Sequence, residues 1–267
     1  MSVKKFDKAT MNRILKELRL PCIRTNYEDA VKEAEKSSLG YNEFLFGLVE
    51  NEAEDRHQRK MARLLKLSRL PLEKTIESFE LKRLPTKELH KVRSLLDGKF
   101  TDRKENVLAF GNPGSGKTHL LCAIGRELIK AGKKVYFSSC SMIVQELLSA
   151  KKDLKLSRVL KRLAAFDTLV IDDIGYVQQN REEMEVLFTL LAERYESGSV
   201  MISSNLPFSK WDRIFKDPMT TAAAIDRLVH HSVILELNLS SFRLEEAKKR
   251  SSSSKVHDIA LSRNREK

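Results

Sequence analysis

Eight consecutive residues, Gly111-Asn112-Pro113-Gly114-Ser115-Gly116-Lys117-Thr118, have the composition of a loop that wraps a phosphate chain. They fit the pattern G-x-x-x-x-G-K-[ST] in full. The glycines let backbone N–H groups turn inward and approach phosphate oxygens with no Cβ in the way. Lys117 brings a positive charge to the β- and γ-phosphates, and the Thr118 hydroxyl is a ligand for Mg²⁺. His119 follows directly and completes the set expected to contact the nucleotide. Further along, Leu169-Val170-Ile171-Asp172-Asp173 is an apolar run that delivers two carboxylates. Asp172 suits the magnesium shell, directly or through water, and Asp173 is placed to orient or deprotonate an attacking water. Together the two elements point to ATP and Mg²⁺ as the cofactors and to phosphate-ester hydrolysis as the chemistry. An ordinary glycine turn and a pair of solvated strand-end acids are the plain alternatives.

The elements around these residues favour the chemical reading. Val107 to Phe110 is a short apolar strand entering the loop, and His119 to Ala131 is an amphipathic helix leaving it, so the positive helix end faces the phosphates. Gly132 is placed to stop that helix in a left-handed conformation. Val135 to Ser139 reads as a strand, Met142 to Leu148 as a helix, and Thr168 to Asp172 as a strand without alternation, as expected when both faces are covered. Helix Glu182 to Glu196 follows, with Gly198 as its stop, then strand Val200 to Ser204, helical pieces through Ile214 and Val229, and strand Val233 to Leu237. Alternating strands and helices argue for an α/β fold with a parallel sheet in a three-layer αβα sandwich.

Residues 1–78 read as helices only. Met11 to Leu20 places Ile14, Leu15 and Leu18 on one face and is ended by Pro21. Tyr41 to Leu70 carries Phe44, Leu45, Leu48 and Val49, then Leu64, Leu67 and Leu70, between basic positions Arg56, His57, Arg59, Lys60, Arg63, Lys66 and Arg69. That basic face is either solvated or a contact for DNA or protein. The expected organisation is a small helical domain over 1–78, which docks a partner or DNA, a nucleotide domain over 79–247 that opens on an irregular or helical connection, and a basic serine-rich tail over 248–267 whose composition predicts disorder.

Composition narrows the partners. The 267 residues suffice for one α/β domain plus a smaller appendage. No apolar run approaches the roughly 20 residues of a membrane-spanning helix, and the first residues lack a secretory signal, so a cytoplasmic protein with no membrane partner is expected. Cys22, Cys122 and Cys140 lie far apart and read as reduced thiols. The net charge of +12, from 49 basic and 37 acidic residues, favours a polyanionic partner such as nucleic acid, although surface solubility explains part of it. The stretch from Lys151 to Arg162 holds six basic residues (Lys151, Lys152, Lys155, Arg158, Lys161 and Arg162) against Asp153 alone. The adjacent His230 and His231 point in different directions on a helix and have no accompanying ligand set. Trp211, with Phe208 and Phe215, reads as lid or edge packing.

With both nucleotide elements placed, the chain resembles an AAA+ ATPase, and more narrowly the IstB-type transposition helper ATPases, relatives of the DnaC helicase loaders. The match is carried by Leu18-Arg19-Leu20-Pro21, Arg63-Leu64-Leu65-Lys66, Asn106-Val107-Leu108, the phosphate loop, Ile174-Gly175-Tyr176, Arg194-Tyr195-Glu196, Ser203-Ser204-Asn205-Leu206-Pro207-Phe208, Asp226-Arg227-Leu228-Val229-His230-His231 and Ser241-Phe242-Arg243. It covers roughly residues 10–245. Many relatives carry Glu at the position of Asp173, and the shorter side chain leaves water placement and turnover open. The resemblance implies that Asn205 acts as sensor 1 toward the γ-phosphate or water; a strand-end turn residue is its plain alternative. It implies that Arg227 is an arginine finger on a neighbour's nucleotide and that Arg243 is the sensor 2 arginine, against surface roles for both. It also implies a head-to-tail homo-oligomer, as a ring or a helical filament, on double-stranded DNA. The basic stretch from Lys151 then lies where initiator-type relatives carry a DNA-facing insertion, with a solvated helix as the alternative. The implied function is ATP-dependent regulation of transposition, recruiting or stimulating a cognate transposase, with hydrolysis controlling disassembly. A helicase loader and a nucleotide-gated DNA scaffold with negligible hydrolysis are the rivals. A small-molecule kinase finds no acceptor-pocket motif.

Overall fold

A computed structural model describes residues 6–175, 181–211 and 218–242, and the chain divides into two compact units between Arg63 and Leu64. Arg243, Tyr176, Ile214, Phe215, the side chain of Phe208 and the tail over 248–267 lie outside the described residues.

In the first unit, α1 (Lys8–Glu17) is capped by Asp7, whose carboxylate accepts from the Ala9 and Thr10 amides. Pro21 does not close this helix, contrary to the sequence expectation. The chain leaves α1 through Leu18 and a left-handed Arg19 (φ 56°), and Pro21 opens α2 (Pro21–Lys36). A proline at that first position gives up an amide that would have had no helical partner. Leu20 offers α2 no capping side chain. The donors are taken instead by Glu52 of α3 (Tyr41–Ser68), which is 4% exposed and accepts from the Cys22 and Ile23 amides at 2.8 and 3.1 Å. Arg59 and Arg56 close on the same carboxylate at 3.5 and 3.6 Å, and Arg56 also donates to the Arg19 carbonyl. Two residues of the apparent basic face are therefore fasteners within this unit.

The second unit contains α4 (Thr86–Leu96), α5 (Lys99–Asp102), β1 (Asn106–Gly111), α6 (Lys117–Lys130), β2 (Val135–Ser139), α7 (Cys140–Lys152), α8 (Leu156–Ala164), β3 (Thr168–Ile174), α9 (Arg181–Arg194), β4 (Ser199–Ser204), α10 (Pro218–Val229) and β5 (Ser232–Leu237). All strand pairs are parallel, in the order β2-β3-β4-β1-β5. Leu108, Ile171 and Ile202 are register neighbours across β1, β4 and β3, and they join Leu147, Leu163, Leu187 and Leu190 in a core beneath α7, α8 and α9. The alternate residues Val107, Val170 and Met201 are equally buried, and α6 packs on those strands. Burial on both faces explains why the strands show no alternation. Trp211 is fully buried, donates to the Leu206 carbonyl and lies 6.2 Å from the Phe110 ring. That is packing, as its sequence context predicted.

Residues 64–78, counted with the helical region in the sequence, pack within the larger unit: Leu70 sits against Gly125 of α6, and Arg69 lies over the Tyr136 ring. The stretch from Lys151 to Arg162 is also not one element. Helix α7 ends at Lys152, a turn follows, and α8 begins at Leu156.

Gly198 was expected to stop α9, but the helix ends at Arg194 and Glu196 (φ 56°) is the left-handed residue of the turn. Gly198 serves a different need. A Cβ there would overlap the guanidinium of Arg194, which is 2% exposed and donates to the carbonyls of Phe166, Asp167 and Ser199 at 2.8–3.0 Å. Burial pulls this arginine's pKa down to about 10. Gly198→Ala displaces a charge that holds the entrances of β3 and β4 together. It is expected to cost about 2–3 kcal/mol, a fall of roughly 5–10 °C in Tm by thermal-shift measurement. A Tm within a degree of wild type would sink this reading of Gly198.

Candidate functional site

Strand order brings the loop after β1 beside the ends of β4 and β3, because β4 lies between β1 and β3. The carboxyl ends of parallel strands are where such sheets place ligands. Lys117 is 6% exposed, and its ammonium donates to the carbonyls of Gly111 and Asn112 at 2.9 Å and to Asn205 Oδ1 at 2.5 Å. Asn205 Nδ2 donates in turn to Asp173 Oδ1 at 3.1 Å. A second chain runs alongside: Thr118 Oγ1 donates to Asp172 Oδ1 at 2.7 Å, and Ser203 Oγ donates to the same oxygen at 2.6 Å. Lys117, Thr118, Asp172, Asp173 and Asn205, chosen from sequence, thus meet at one point.

Consecutive residues on a regular strand point to opposite faces, so a plain strand would part Asp172 from Asp173. Here β3 advances from Ile171 to Ile174 while β4 advances only from Ile202 to Ser204, a bulge that absorbs one extra residue. Asp173 takes a left-handed conformation (φ 65°) that Asp tolerates better than most residues, and its amide donates to Ser203 Oγ at 2.8 Å. The bulge re-aims both carboxylates toward the phosphate loop. Ser203, bound to both acids, was not singled out from sequence; its position on the strand adjoining β3 was the available signal.

The cavity over the loop is lined by Lys74, Ser78, Phe79, Arg83, Lys117, Thr118, His119 and Phe242, among others. Gly116 (φ 96°) approaches Phe79 so closely that a Cβ would lie 2.8 Å from the ring. His119 is taken up by the same wall: its Nε2 lies 3.0 Å from the Thr75 carbonyl and 3.1 Å from Ser78 Oγ, and Phe79 meets its ring edge-on. Arg83 donates to the Ser240 carbonyl and lies over the Phe242 ring, while the Phe242 amide donates to the Gly114 carbonyl. Residues between Lys74 and Arg83, read from sequence as the end of the helical region and the start of a charged connection, therefore form one wall of the site.

The donor set fits a nucleotide with magnesium. Ser115 Oγ is buried in the loop with no partner among the described residues, as an anion-binding hydroxyl is before its ligand arrives. Thr118 and Asp172 offer the hard oxygen ligands that Mg²⁺ prefers. Among the described residues no group of three or more His, Cys, Asp or Glu gathers. Cys122, buried in α6, has its thiol pushed up to about 12 by burial and takes no part as a thiolate.

Other sequence candidates lie elsewhere. Arg227 lines a separate cavity with Arg103, Lys104, Arg194, Tyr195, Glu196 and His231. Its neighbour Leu228 accepts from Asn106 at the opposite end of β1 from the phosphate loop. The Arg227 guanidinium rests 4.9 Å over the Phe188 ring, and its Nη1 is buried with no partner among the described residues. Of the basic stretch, Lys151 pairs with Glu185, Lys155 with Asp153, and Arg162 with Glu146 while also lying over Tyr136. Lys152, Arg158 and Lys161 are exposed and form no ion pair among the described residues. Three of the six cations are thus committed within the chain.

Comparison with known proteins follows the same lines. The family profile described as IstB-like ATP binding protein matches residues 13–251. An insertion-sequence ATP-binding protein of Sinorhizobium fredii is 39% identical over 91% of this chain and 82% of its own length. The IS21 insertion-sequence ATP-binding protein of Pseudomonas aeruginosa is 38% identical over 88% and 89%. Among solved structures, AMPPCP-bound DnaA from Aquifex aeolicus aligns over 70% of this chain and 57% of that one, at 20% identity and a TM-score of 0.53. The DnaC helicase loader aligns over 62% and 97%, at 18% identity and a TM-score of 0.52. At such identities these two structures speak to the fold alone. No helix among the described residues is long and apolar enough to cross a membrane.

Proposed function

The chain belongs to the family of IstB-like ATP-binding proteins with an AAA+ P-loop fold, and on that premise we propose that it hydrolyses ATP to time its assembly on target DNA and its engagement of a transposase. The observation that carries this is the junction of two hydrogen-bonded chains, Lys117–Asn205–Asp173 and Thr118–Asp172–Ser203, at one strand end. A site for binding alone needs the loop; it does not need a second carboxylate re-aimed by a bulge and tethered to the residue that touches Lys117.

In this reading Gly111 to Thr118 hold the phosphates, Ser115 donates to them, and Thr118 with Asp172 holds Mg²⁺. The metal supplies neutralisation of phosphate charge. Asp173 accepts the proton of a water that Asn205 helps to position, and Asn205 links that event to Lys117. Arg227 completes a neighbour's site, so the oligomer is head-to-tail. Arg243 keeps its sensor 2 role on family resemblance. Double-stranded DNA is met by the basic residues from Lys151 to Arg162, on the end of α7, the turn and α8, and the partner is a cognate transposase; the relatives' names place them in insertion sequences. We place the protein in the cytoplasm, in keeping with its three free thiols.

Phosphate release by wild type and by Asp173→Asn, with and without duplex DNA, tests the proposal. Asparagine tolerates the left-handed conformation and keeps the shape, so only the base is lost. Turnover is expected to fall about 100-fold or more with ATP affinity retained, and wild-type turnover is expected to rise with DNA. Release that is negligible in both proteins would instead support the nucleotide-gated scaffold, a reading favoured by the short Asp173 side chain and its tie to Asn205. A pull-down against transposase and replicative helicase separates the transposition role from helicase loading.

A further inference from the structure

The turn between α7 and α8 closes with two backbone bonds, Leu154 N–H to the Lys151 carbonyl at 3.1 Å and Lys155 N–H to the Ala150 carbonyl at 2.7 Å. This pairing requires a left-handed residue at Leu154 (φ 56°), a position that glycine ordinarily takes because a Cβ is strained there. Six other non-glycine residues among those described share the conformation: Arg19, Ser38, Arg69, Lys104, Asp173 and Glu196. All six are polar or charged. Leu154 alone is apolar, and it is 94% exposed. The fold gains no burial from this side chain and bears its backbone strain, and strain retained without a packing reason points to function.

The surroundings define the chemistry that would meet it. Lys152 at the end of α7, and Arg158 and Lys161 on α8, are exposed without ion pairs among the described residues, and Lys155 is paired with Asp153 at 3.5 Å. A cationic rim suits a phosphate backbone. An apolar tip on the turn between these cationic helix ends suits the space between stacked bases, where leucine and similar side chains act as wedges that unstack a step and kink the duplex.

We propose that Leu154 inserts between base steps of duplex DNA and bends it, with Lys152, Arg158 and Lys161 holding the flanking phosphates. This rests on the reading of the protein as DNA-binding, and the test separates the two. The full chain, with a slowly hydrolysed ATP analogue, is added to a duplex carrying dyes at both ends and 2-aminopurine within. Wild type is expected to shorten the end-to-end distance and brighten the 2-aminopurine. Leu154→Gly relieves the backbone strain, so its Tm is expected to be no lower than wild type. Its salt dependence of binding should be unchanged, because the phosphate contacts remain, while both distortion signals fall to those of free duplex. Leu154→Phe is expected to keep them. Wild-type binding without distortion, or distortion that persists in Leu154→Gly, overturns the wedge and leaves DNA binding standing; persistence is also the outcome if the leucine docks a protein. No wild-type binding to duplex at all overturns both.

Discussion

Lys117→Ala is expected to weaken ATP binding about 100- to 1,000-fold, measured by calorimetry with the full chain, while the fold remains intact. The ammonium now satisfies three neutral acceptors, the carbonyls of Gly111 and Asn112 and the Asn205 amide oxygen, in a nearly closed site. Those partners hold the charge in place. Bound phosphates would supply ionic acceptors, and hydrogen bonds to charged groups contribute about 1.5–3 kcal/mol each. Two such bonds amount to about 3–6 kcal/mol, partly offset by the neutral bonds the ammonium gives up, and each 1.4 kcal/mol is roughly tenfold in affinity. Alanine removes the charge and leaves backbone carbonyls that water can reach, so stability changes far less than affinity. Lys117→Arg is expected to bind almost as poorly, because a planar fork cannot reproduce a point charge that meets three oxygens from different directions. ATP affinity within a few-fold of wild type in Lys117→Ala would remove this residue from the phosphate site.

Where sequence reasoning succeeded, it rested on patterns that local physics enforces. A strand, a glycine loop and a helix in immediate succession place Lys117 and Thr118 with little freedom, and uninterrupted apolar runs such as Leu169 to Ile171 exist only where both sheet faces are covered. What sequence could not show depended on partners distant in the chain. The bulge at Asp173 is defined by the register against β4, and Ser203 gains its role only from that register. Pro21 reads equally well as a stop or a start, and Glu52, thirty residues away, decides for the start by taking the Cys22 and Ile23 amides. The charges of Arg56, Arg59, Lys151 and Arg162 looked available because their acidic partners lie on other turns or other helices. Gly198 looked like a helix stop because a glycine shaped by an overlying arginine and a glycine shaped by its own φ are the same letter.

The position of Arg227 yields the second large effect. It sits near the start of β1 and β5, while the phosphate loop follows the end of β1. Six strand residues at ~3.3 Å each put roughly 17–20 Å between the two, so Arg227 does not serve the nucleotide of its own subunit. Its Nη1 is buried without an acceptor among the described residues, and the guanidinium lies over the Phe188 ring. An unsatisfied buried donor is costly, which favours an arrangement in which a neighbouring subunit brings an anionic acceptor to it. Arg227→Ala is accordingly expected to lower DNA-stimulated turnover about 10³-fold or more with ATP affinity unchanged. Mixing decides whether the action is between subunits. Lys117→Ala subunits keep the arginine and lose the nucleotide; Arg227→Ala subunits keep the nucleotide and lose the arginine. Each alone is expected to be inactive, whereas an equal mixture forms one intact interface in roughly four head-to-tail contacts and recovers turnover accordingly. If the mixture stays as inactive as its components while still assembling on DNA, Arg227 is not a residue that works across the interface.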